Sequence, residues 1–346
     1  MKACVLHGVG DIRYEEVPQP KPKADEVLIK IKACGICGSD IPRIFKKGTY
    51  SFPTIPGHEF SGKIVEIGKN VNSLQINNRG SIIPLIPCRD CLFCQVGDYE
   101  LCDNYNYLGS RCNGGFAEYA VVPHKNFVSI PENITFKEAA MVEPASVALH
   151  VVRKMNIDIG DTVAIIGGGT IGLIIAQLVR ICGAKDILII DIDDKKLETA
   201  KRLKFINTIN SSKNNCAEWI KSFTKGKGAD VVIEAAAGSI ALPLAIKIAK
   251  KNGKIGLLGD TSSDTLLSSE VYHQILNKQL QLNGSWNSKF SELPKNEWKV
   301  IIDLISRKLL DLLSLITHNI GLSETIITLN MMKNKEQFYI KILINN

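Results

Sequence analysis

Short apolar segments separated by glycine and proline occupy the first part of the chain, from Met1 to about Val147. Runs such as VLIKIKACGICG, GKIVEIG and GGFAEYAVVP have the length and composition typical of β-strands. After Val147 the pattern changes to an apolar strand, a glycine turn, an apolar helix and a second strand that ends in an acid, as in TVAIIGGGTIGLIIAQLVRICGAKDILIID. Such alternation predicts a parallel sheet with helices on its faces.

These patterns predict an α/β protein of two domains, which its length of 346 residues also favours. Residues 1–147 form a β-rich domain and residues 148–283 a doubly wound dinucleotide-binding domain, with a helix predicted over SIALPLAIKIAKK. Residues 284–346, with a helix over EWKVIIDLISRKLLDLL and a terminal run YIKILI, are expected to return to the first domain. The active site is then expected between the two domains.

Composition narrows the class of protein. The chain is 45% hydrophobic and 22% charged, typical of a globular protein, and it has no apolar run long enough to span a bilayer. Its net charge of +7 comes from lysines spread along the chain, so we expect no nucleic-acid partner and no membrane partner. The N-terminus lacks the pattern of a signal peptide, and we expect a cytoplasmic protein whose ten cysteines are thiols or metal ligands.

The glycines Gly167, Gly169 and Gly172 form GxGxxG between a strand and a helix. The first permits a tight turn, the second lets the backbone approach a pyrophosphate, and the third lets the helix pack on the strand. Asp191 ends the next strand, where a carboxylate binds ribose hydroxyls and favours NAD over NADP, whereas the nearby Lys196 would assist NADP. The alternative is a glycine turn that binds no ligand.

Four cysteines lie close together within PCRDCLFCQVGDYELC and share a spacing that suits one closed metal site. They are Cys88, Cys91, Cys94 and Cys102. Four thiolates around one Zn²⁺ would hold a surface lobe, residues 88–102, without doing chemistry. An iron–sulfur cluster and fortuitous thiols are the alternatives, although no Cys-Pro follows at the interval typical of ferredoxins.

A second set of candidate ligands is dispersed along the chain: Cys37 in CGICGSD, His58 and Glu59 in PGHEFSG, and Glu143 in MVEPASVALH. Each residue alone has an ordinary explanation, such as a buried thiol, a core histidine or a charge at a helix end. Composition and spacing alone do not show that these four residues form one site.

The segment GHEFSGKIVEIGKNV resembles the zinc-binding signature of the zinc-dependent medium-chain alcohol dehydrogenases. CGSD, the four-cysteine lobe, EPASVALH and GGGTIG follow the order of that family, so the resemblance covers nearly the whole chain. It implies a GroES-like catalytic domain and a Rossmann domain. It also implies that Cys37, His58 and Glu143 bind a catalytic zinc, with Glu59 beside the metal.

The resemblance further implies a chemistry. The zinc would acidify a substrate hydroxyl, Ser39 would accept its proton, and hydride would pass to the nicotinamide. Asp40 would support the zinc site, or would instead be a helix N-cap. Where several relatives place a proton-shuttling histidine, this chain has Pro42 and Arg43, so the outward path of the proton stays open.

CGSDIPRIFKKG, YLGSRCNGGFAEY and NGSW look closer to the galactitol-1-phosphate 5-dehydrogenases than to sorbitol or threonine dehydrogenases. Arg43, Lys46, Lys47 and Arg111 are candidate phosphate ligands, of which each is equally well explained as part of a solvated basic face. A sorbitol or L-iditol 2-dehydrogenase is the alternative enzyme, and a catalytically silent, NAD-binding redox sensor the alternative outside enzymes. We expect a homodimer or homotetramer, because members of this family commonly associate.

Overall fold

The structure is a computed structural model that describes residues 1–261 and 263–346. The chain folds as two compact units. The first comprises residues 1–144 and 289–346, and the second comprises residues 145–288, against expected boundaries at 147 and 283. Within the part of the chain described, no helix is both long and apolar enough to cross a bilayer.

The strands of the two units are numbered in chain order. They are β1 Lys2–Gly8, β2 Asp11–Glu16, β3 Glu26–Ile36, β4 Glu59–Ile67, β5 Arg79–Ile82, β6 Leu85–Ile86, β7 Asn106–Tyr107, β8 Tyr119–Pro123, β9 Phe127–Ser129, β10 Thr162–Ile166, β11 Asp186–Asp191, β12 Thr208–Asn210, β13 Ala229–Glu234, β14 Ala249–Leu257, β15 Gln281–Gly284, β16 Ile316–Gly321 and β17 Lys341–Asn345.

The α-helices are numbered in the same way. They are α1 Asp40–Pro42, α2 Leu92–Gln95, α3 Phe136–Ala140, α4 Val142–Met155, α5 Thr170–Ile181, α6 Asp194–Arg202, α7 Cys216–Phe223, α8 Ala241–Ile248, α9 Ser269–Asn277, α10 Glu297–Ser306 and α11 Thr325–Asn334. A turn of π-helix, Arg43–Lys47, follows α1.

The first unit is built on a mostly antiparallel sheet in the order β16-β17-β3-β4-β5-β9, with β8 also paired to β3. Strand β17 from the C-terminal segment pairs antiparallel with the end of β3, Ile342 opposite Ile36. Apolar side chains on these strands, including Ile31, Phe60 and Ile342, are fully buried. The last residues of the chain therefore lie beside the residues that lead into Cys37.

The second unit is a parallel sheet in the order β12-β11-β10-β13-β14-β15. Its strands are almost uniformly apolar because helices cover both faces, and Val163, Leu188 and Val232 are fully buried. The order reverses between β10 and β13, and ligands of such sheets bind at the carboxyl ends of the strands at this point. The α/β fold predicted from the alternating pattern is confirmed.

Two predicted helices are shorter than their apolar patterns. The helix over SIALPLAIKIAKK ends at Ile248, and Lys250 already belongs to β14, since a buried strand and a buried helix share the same apolar pattern. The helix over EWKVIIDLISRKLLDLL ends at Ser306, because Lys308 has a positive φ that a right-handed helix does not accommodate. The leucines beyond it form a short 3₁₀ turn.

Candidate metal and dinucleotide sites

Cys37, His58 and Glu59 come together at the paired ends of two strands. Cys37 follows the last residue of β3 and His58 precedes the first residue of β4, and the antiparallel pairing places Gly35 opposite Glu59. The sulfur, an imidazole nitrogen and a carboxylate oxygen of the three residues lie within 4.8 Å of one another. His58 and Glu59 are buried, whereas Cys37 is partly exposed.

Asp40 contacts this group through a fully buried carboxylate. Its Oδ2 accepts the backbone N–H of Cys37 at 3.0 Å, and its Oδ1 lies 2.7 Å from Arg43 Nη1 and 3.4 Å from His58 Nδ1. Burial opposes the charged imidazole, but Asp40 overcomes it and raises the pKa of His58 well above its ordinary value. The alternative that made Asp40 an N-cap is wrong, since Ser39 occupies that position before α1.

Glu59 has a buried ion-pair partner that the sequence did not single out. Lys341, on β17, forms an ion pair with Glu59 Oε2 and donates to the carbonyl of Ile36 at 3.0 Å. Burial alone would lower the pKa of Lys341, but the charge of Glu59 outweighs it and raises that pKa. A Cβ at Gly35 would collide with both side chains, which explains the glycine at that point of β3.

Glu143, near the start of α4, lies outside the group formed by Cys37, His58 and Glu59 among the described residues. Its Oε1 accepts the Tyr107 hydroxyl at 3.4 Å, and the Tyr107 ring lies 5.8 Å from the His58 ring. Burial raises the pKa of Glu143 to about 7. A cation that binds this carboxylate must therefore displace a proton over part of the neutral range.

Ser39 lies at the exposed side of the same turn. Its hydroxyl is 3.3 Å from Cys37 Sγ, so it faces the thiol. A hydroxyl in this position can exchange a proton with a molecule that binds beside Cys37.

The four cysteines of the lobe form a second group with sulfur atoms within 4.8 Å of one another. Backbone N–H groups already point at two of the sulfurs, from Cys88 to Cys102 at 3.2 Å and from Cys91 to Cys88 at 3.4 Å. Hydrogen bonds from backbone N–H groups of the loop lower the pKa of Cys88 to about 6, while burial raises that of Cys94 to about 12. A closed set of four sulfurs with such support suits a structural Zn²⁺.

The glycine turn at the end of β10 has the geometry of a phosphate cradle. Gly167 has φ of +111°, which disfavours any side chain, and its N–H donates to Ile190 at 2.7 Å. Gly169 precedes the first turn of α5, and the N-terminus of a helix attracts an anion through its backbone N–H groups and its dipole. A Cβ at Gly172 would collide with the Gly167 carbonyl oxygen, so the close approach of the helix to the turn requires glycine at position 172.

Asp191 closes this turn from the end of β11. Its buried carboxylate accepts the N–H of Gly168 at 2.7 Å and that of Asp193 at 2.9 Å. Lys196 Nζ lies 3.8 Å from Asp191 Oδ2. The carboxylate is thus aimed at the glycine turn and a cation stands beside it, which leaves both NAD and NADP chemically reasonable.

Of the three predicted phosphate ligands in the segment after Cys37, Arg43 donates to Asp40 at 2.7 Å, whereas Lys46 and Lys47 are exposed. The structure therefore places Arg43 in support of the metal group. Tyr107 and Lys341 are the site residues that sequence reasoning missed. Tyr107 begins the quoted segment YLGSRCNGGFAEY and Lys341 lies in the terminal run YIKILI, but neither was assigned a role there. The only available signal was the position of Lys341 in an otherwise apolar strand.

Comparison with known proteins identifies the family. Residues 23–132 match the alcohol dehydrogenase GroES-like domain and residues 170–307 the zinc-binding dehydrogenase domain. The chain belongs to the zinc-type alcohol dehydrogenases. The predicted GroES-like and Rossmann domains, and the assignment as an oxidoreductase, are confirmed.

Relatives of this dehydrogenase include polyol dehydrogenases. It is 37% identical to galactitol 1-phosphate 5-dehydrogenase of Escherichia coli over 92% of both chains. It is 30% identical to sorbitol dehydrogenase of Bacillus subtilis over 94% of this chain and 91% of the relative. The resemblance to galactitol-1-phosphate 5-dehydrogenase is therefore confirmed as a resemblance.

Solved structures of relatives have the same fold as this chain. The crystal structure of Escherichia coli galactitol-1-phosphate dehydrogenase has a TM-score of 0.94 at 35% identity and covers all of both chains. Two further neighbours at 30% identity and TM-score 0.91 cover all of this chain and 99% of theirs. One, from Sinorhizobium meliloti, is bound to NADP, and the other, from Escherichia coli, is complexed with NADH. The family thus binds zinc and a nicotinamide dinucleotide.

Proposed function

We propose that this dehydrogenase oxidises a secondary hydroxyl of a sugar-alcohol phosphate with NAD, in the manner of galactitol-1-phosphate 5-dehydrogenase. The observation that carries the proposal is the 37% identity with that enzyme over 92% of both chains. For galactitol 1-phosphate the products would be tagatose 6-phosphate and NADH. The cluster at Cys37 and His58 supports the reaction class, because it combines metal-ligand chemistry with a nearby hydroxyl.

The donor set fits one catalytic zinc. Thiolate, imidazole and carboxylate are ligands that Zn²⁺ prefers, and a negatively charged pair of them balances the dication. We propose Cys37, His58 and Glu143 as the ligands, with Glu59 beside the metal. Of the two glutamates, Glu59 is the one whose carboxylate lies within 4.8 Å of the ligand atoms of Cys37 and His58 among the described residues. When bound, the zinc would act as a Lewis acid on the substrate hydroxyl. Cys88, Cys91, Cys94 and Cys102 would hold a second, structural zinc.

The chain's own residues would position the reactants and move the proton. Ser39, beside Cys37 Sγ and exposed, would accept the substrate proton while it passes its own hydroxyl proton to water. Asp40 would keep His58 oriented through Nδ1. Gly167, Gly169 and Gly172 would receive the pyrophosphate. Asp191 would bind the ribose hydroxyls, which supports NAD, with Lys196 as the feature that would admit NADP.

A free polyol is the second candidate substrate. It is supported by the 30% identity with sorbitol dehydrogenase over 94% of this chain. The alternative outside enzymes, a silent redox sensor, is not supported, because the chain keeps both candidate metal groups and the glycine turn of a dehydrogenase family. Cytoplasmic location and assembly as a homodimer or homotetramer also stay predictions.

The deciding experiment measures NADH formation with galactitol 1-phosphate, galactitol, sorbitol, xylitol and L-threonine side by side. We expect the phosphate ester to have the highest kcat/KM, by about 10-fold or more, because a well-placed charged contact contributes at least that much. A higher kcat/KM for sorbitol would replace the proposal by the second candidate. No NADH from any of these alcohols, with two zinc ions bound per chain, would favour the sensor.

A further inference from the structure

Arg111 lies in the loop after β7 with its guanidinium between two tyrosine rings. Its Cζ is 4.3 Å from the centroid of the Tyr50 ring and 4.2 Å from that of the Tyr105 ring. Nη1 donates to the Tyr105 carbonyl at 2.9 Å and Nη2 to the Tyr50 hydroxyl at 3.3 Å. The two stacking contacts and two hydrogen bonds hold the guanidinium plane in one orientation.

No carboxylate lies within ion-pair distance of Arg111 among residues 1–261 and 263–346. A guanidinium has five N–H donors, and the two hydrogen bonds above leave others available. Tyr50 is 73% exposed, so this side of the stack opens to solvent and to a soluble ligand. Arg111 is therefore a preoriented cation that has no carboxylate partner among the described residues, which favours an anionic ligand.

Aromatic rings connect Arg111 to the metal group. The Tyr105 ring meets the Tyr107 ring edge-on at 6.3 Å, and the Tyr107 ring lies 5.8 Å from the His58 ring. Arg111 is thus linked to His58 through the rings of Tyr105 and Tyr107. A substrate that carries its reacting carbon and its charge on different parts of one molecule suits a metal group and a cation linked in this way.

The other cations considered for phosphate binding are less suited to it. Arg43 donates to the buried Asp40 carboxylate at 2.7 Å and would leave that charge unpaired if it moved. Lys46 and Lys47 are exposed ammonium groups on a short π-helical turn, and water solvates such groups strongly.

We infer that Arg111, clamped between Tyr50 and Tyr105, binds the phosphate of the substrate and determines the preference for a phosphorylated over a free polyol. This inference rests on the proposed function. It assigns that preference to one side chain in the first unit.

The test compares Arg111→Gln and Arg111→Lys with the wild-type enzyme on galactitol 1-phosphate and on galactitol. We expect the ratio of the two kcat/KM values to fall about 10- to 100-fold in Arg111→Gln, as for the loss of charged hydrogen bonds. The fall should come mainly from KM for the phosphate ester, because the contact is remote from the reacting carbon. Arg111→Lys keeps the charge without the planar stack, so its ratio should fall less, and it carries the test if Arg111→Gln does not fold.

Arg180→Gln is the matched control. Arg180 also stacks on an aromatic ring, 3.8 Å from Phe205, and donates to the carbonyls of Leu203 and Lys204, but it belongs to the second unit. Its ratio should equal that of the wild type. An unchanged ratio in both Arg111 variants, or equal losses on both substrates, would overturn the inference and leave the proposed function standing. A wild-type enzyme without preference for the phosphate ester would overturn both, and that result needs no variant.

Discussion

At the scale of single residues, the three buried carboxylates near Cys37 differ in whether a cation neutralises them. Glu59 is paired with Lys341 and Asp40 with Arg43, while Glu143 has only the Tyr107 hydroxyl within hydrogen-bond distance among the contacts described. A buried carboxylate that lacks a cation favours either a proton or a metal ion. Glu143 is therefore the carboxylate whose charge a bound zinc would stabilise most.

Replacement of Glu143 by alanine should abolish turnover because the variant removes this charge from the metal group. NAD affinity should change little, since Gly167 and Asp191 belong to the other unit. The measurements are kcat, NAD binding by fluorescence and zinc content per chain. We expect zinc to fall from two ions to one.

Glu16→Ala provides the control for this experiment, because Glu16 is an exposed residue of the same unit that pairs with Lys2. Its turnover and zinc content should match the wild type. Normal turnover in Glu143→Ala would remove Glu143 from the site. Lost turnover with both zinc ions retained would place it beside the metal and leave Glu59 as the ligand.

At the scale of structural elements, the four-cysteine lobe and the glycine turn each depend on specific contacts. The lobe of residues 88–102 is fixed to the C-terminal segment by an ion pair between Asp98 and Lys289 and by the Tyr99 and Phe290 rings at 5.0 Å. The turn between β10 and α5 depends on glycines for two different reasons. Gly172 is required by packing, whereas a Cβ at Gly169 would meet nothing within 4 Å.

The pair Gly172→Ala and Gly169→Ala separates folding from dinucleotide binding. Gly172→Ala should lower both the free energy of unfolding and NAD affinity, because its Cβ collides with the Gly167 carbonyl. Gly169→Ala should keep the stability within about 1 kcal/mol but weaken NAD binding, since its methyl group would point where the pyrophosphate approaches. Urea unfolding and NAD titration measure the two effects. Equal NAD affinity in Gly169→Ala and the wild type would contradict the proposed cofactor site.

For the molecule as a whole, the second unit leaves the edge of its sheet uncovered. Strand β15 pairs only with β14 among the described residues. Tyr272 and Leu276 on α9, which precedes β15 in the chain, and Trp286, which follows it, are each more than half exposed. An open strand edge together with exposed apolar side chains favours pairing with another chain. The expected homo-oligomer would therefore use this edge.

Sedimentation equilibrium tests the expectation. The wild-type protein should sediment as a dimer or tetramer, and Leu282→Glu, which places a charge on β15, should shift it toward monomer. Ile206→Glu, next to the opposite edge strand β12 and 78% exposed, is the control and should leave the mass unchanged. A monomeric wild type would exclude the homo-oligomer.

The sequence alone determined the features that depend on short-range order. Strand and helix alternation gave the α/β fold, and the motifs around Gly57 and Gly167 indicated the family, because a turn or ligand spacing is encoded by neighbouring residues. Helix ends were less predictable, since β14 and α8 share one apolar pattern.

Only the tertiary structure decided which distant groups meet. It paired Lys341 with Glu59, brought Tyr107 to Glu143, and enclosed Arg111 between Tyr50 and Tyr105. In the sequence Arg111 is indistinguishable from a solvated surface charge, and the apolar strand around Lys341 does not identify its partner. The energy of each cation depends on burial and on partners far along the chain. For the same reason the sequence left four cations open as phosphate ligands, and the fold singled out the one that is oriented and has no carboxylate partner among the described residues.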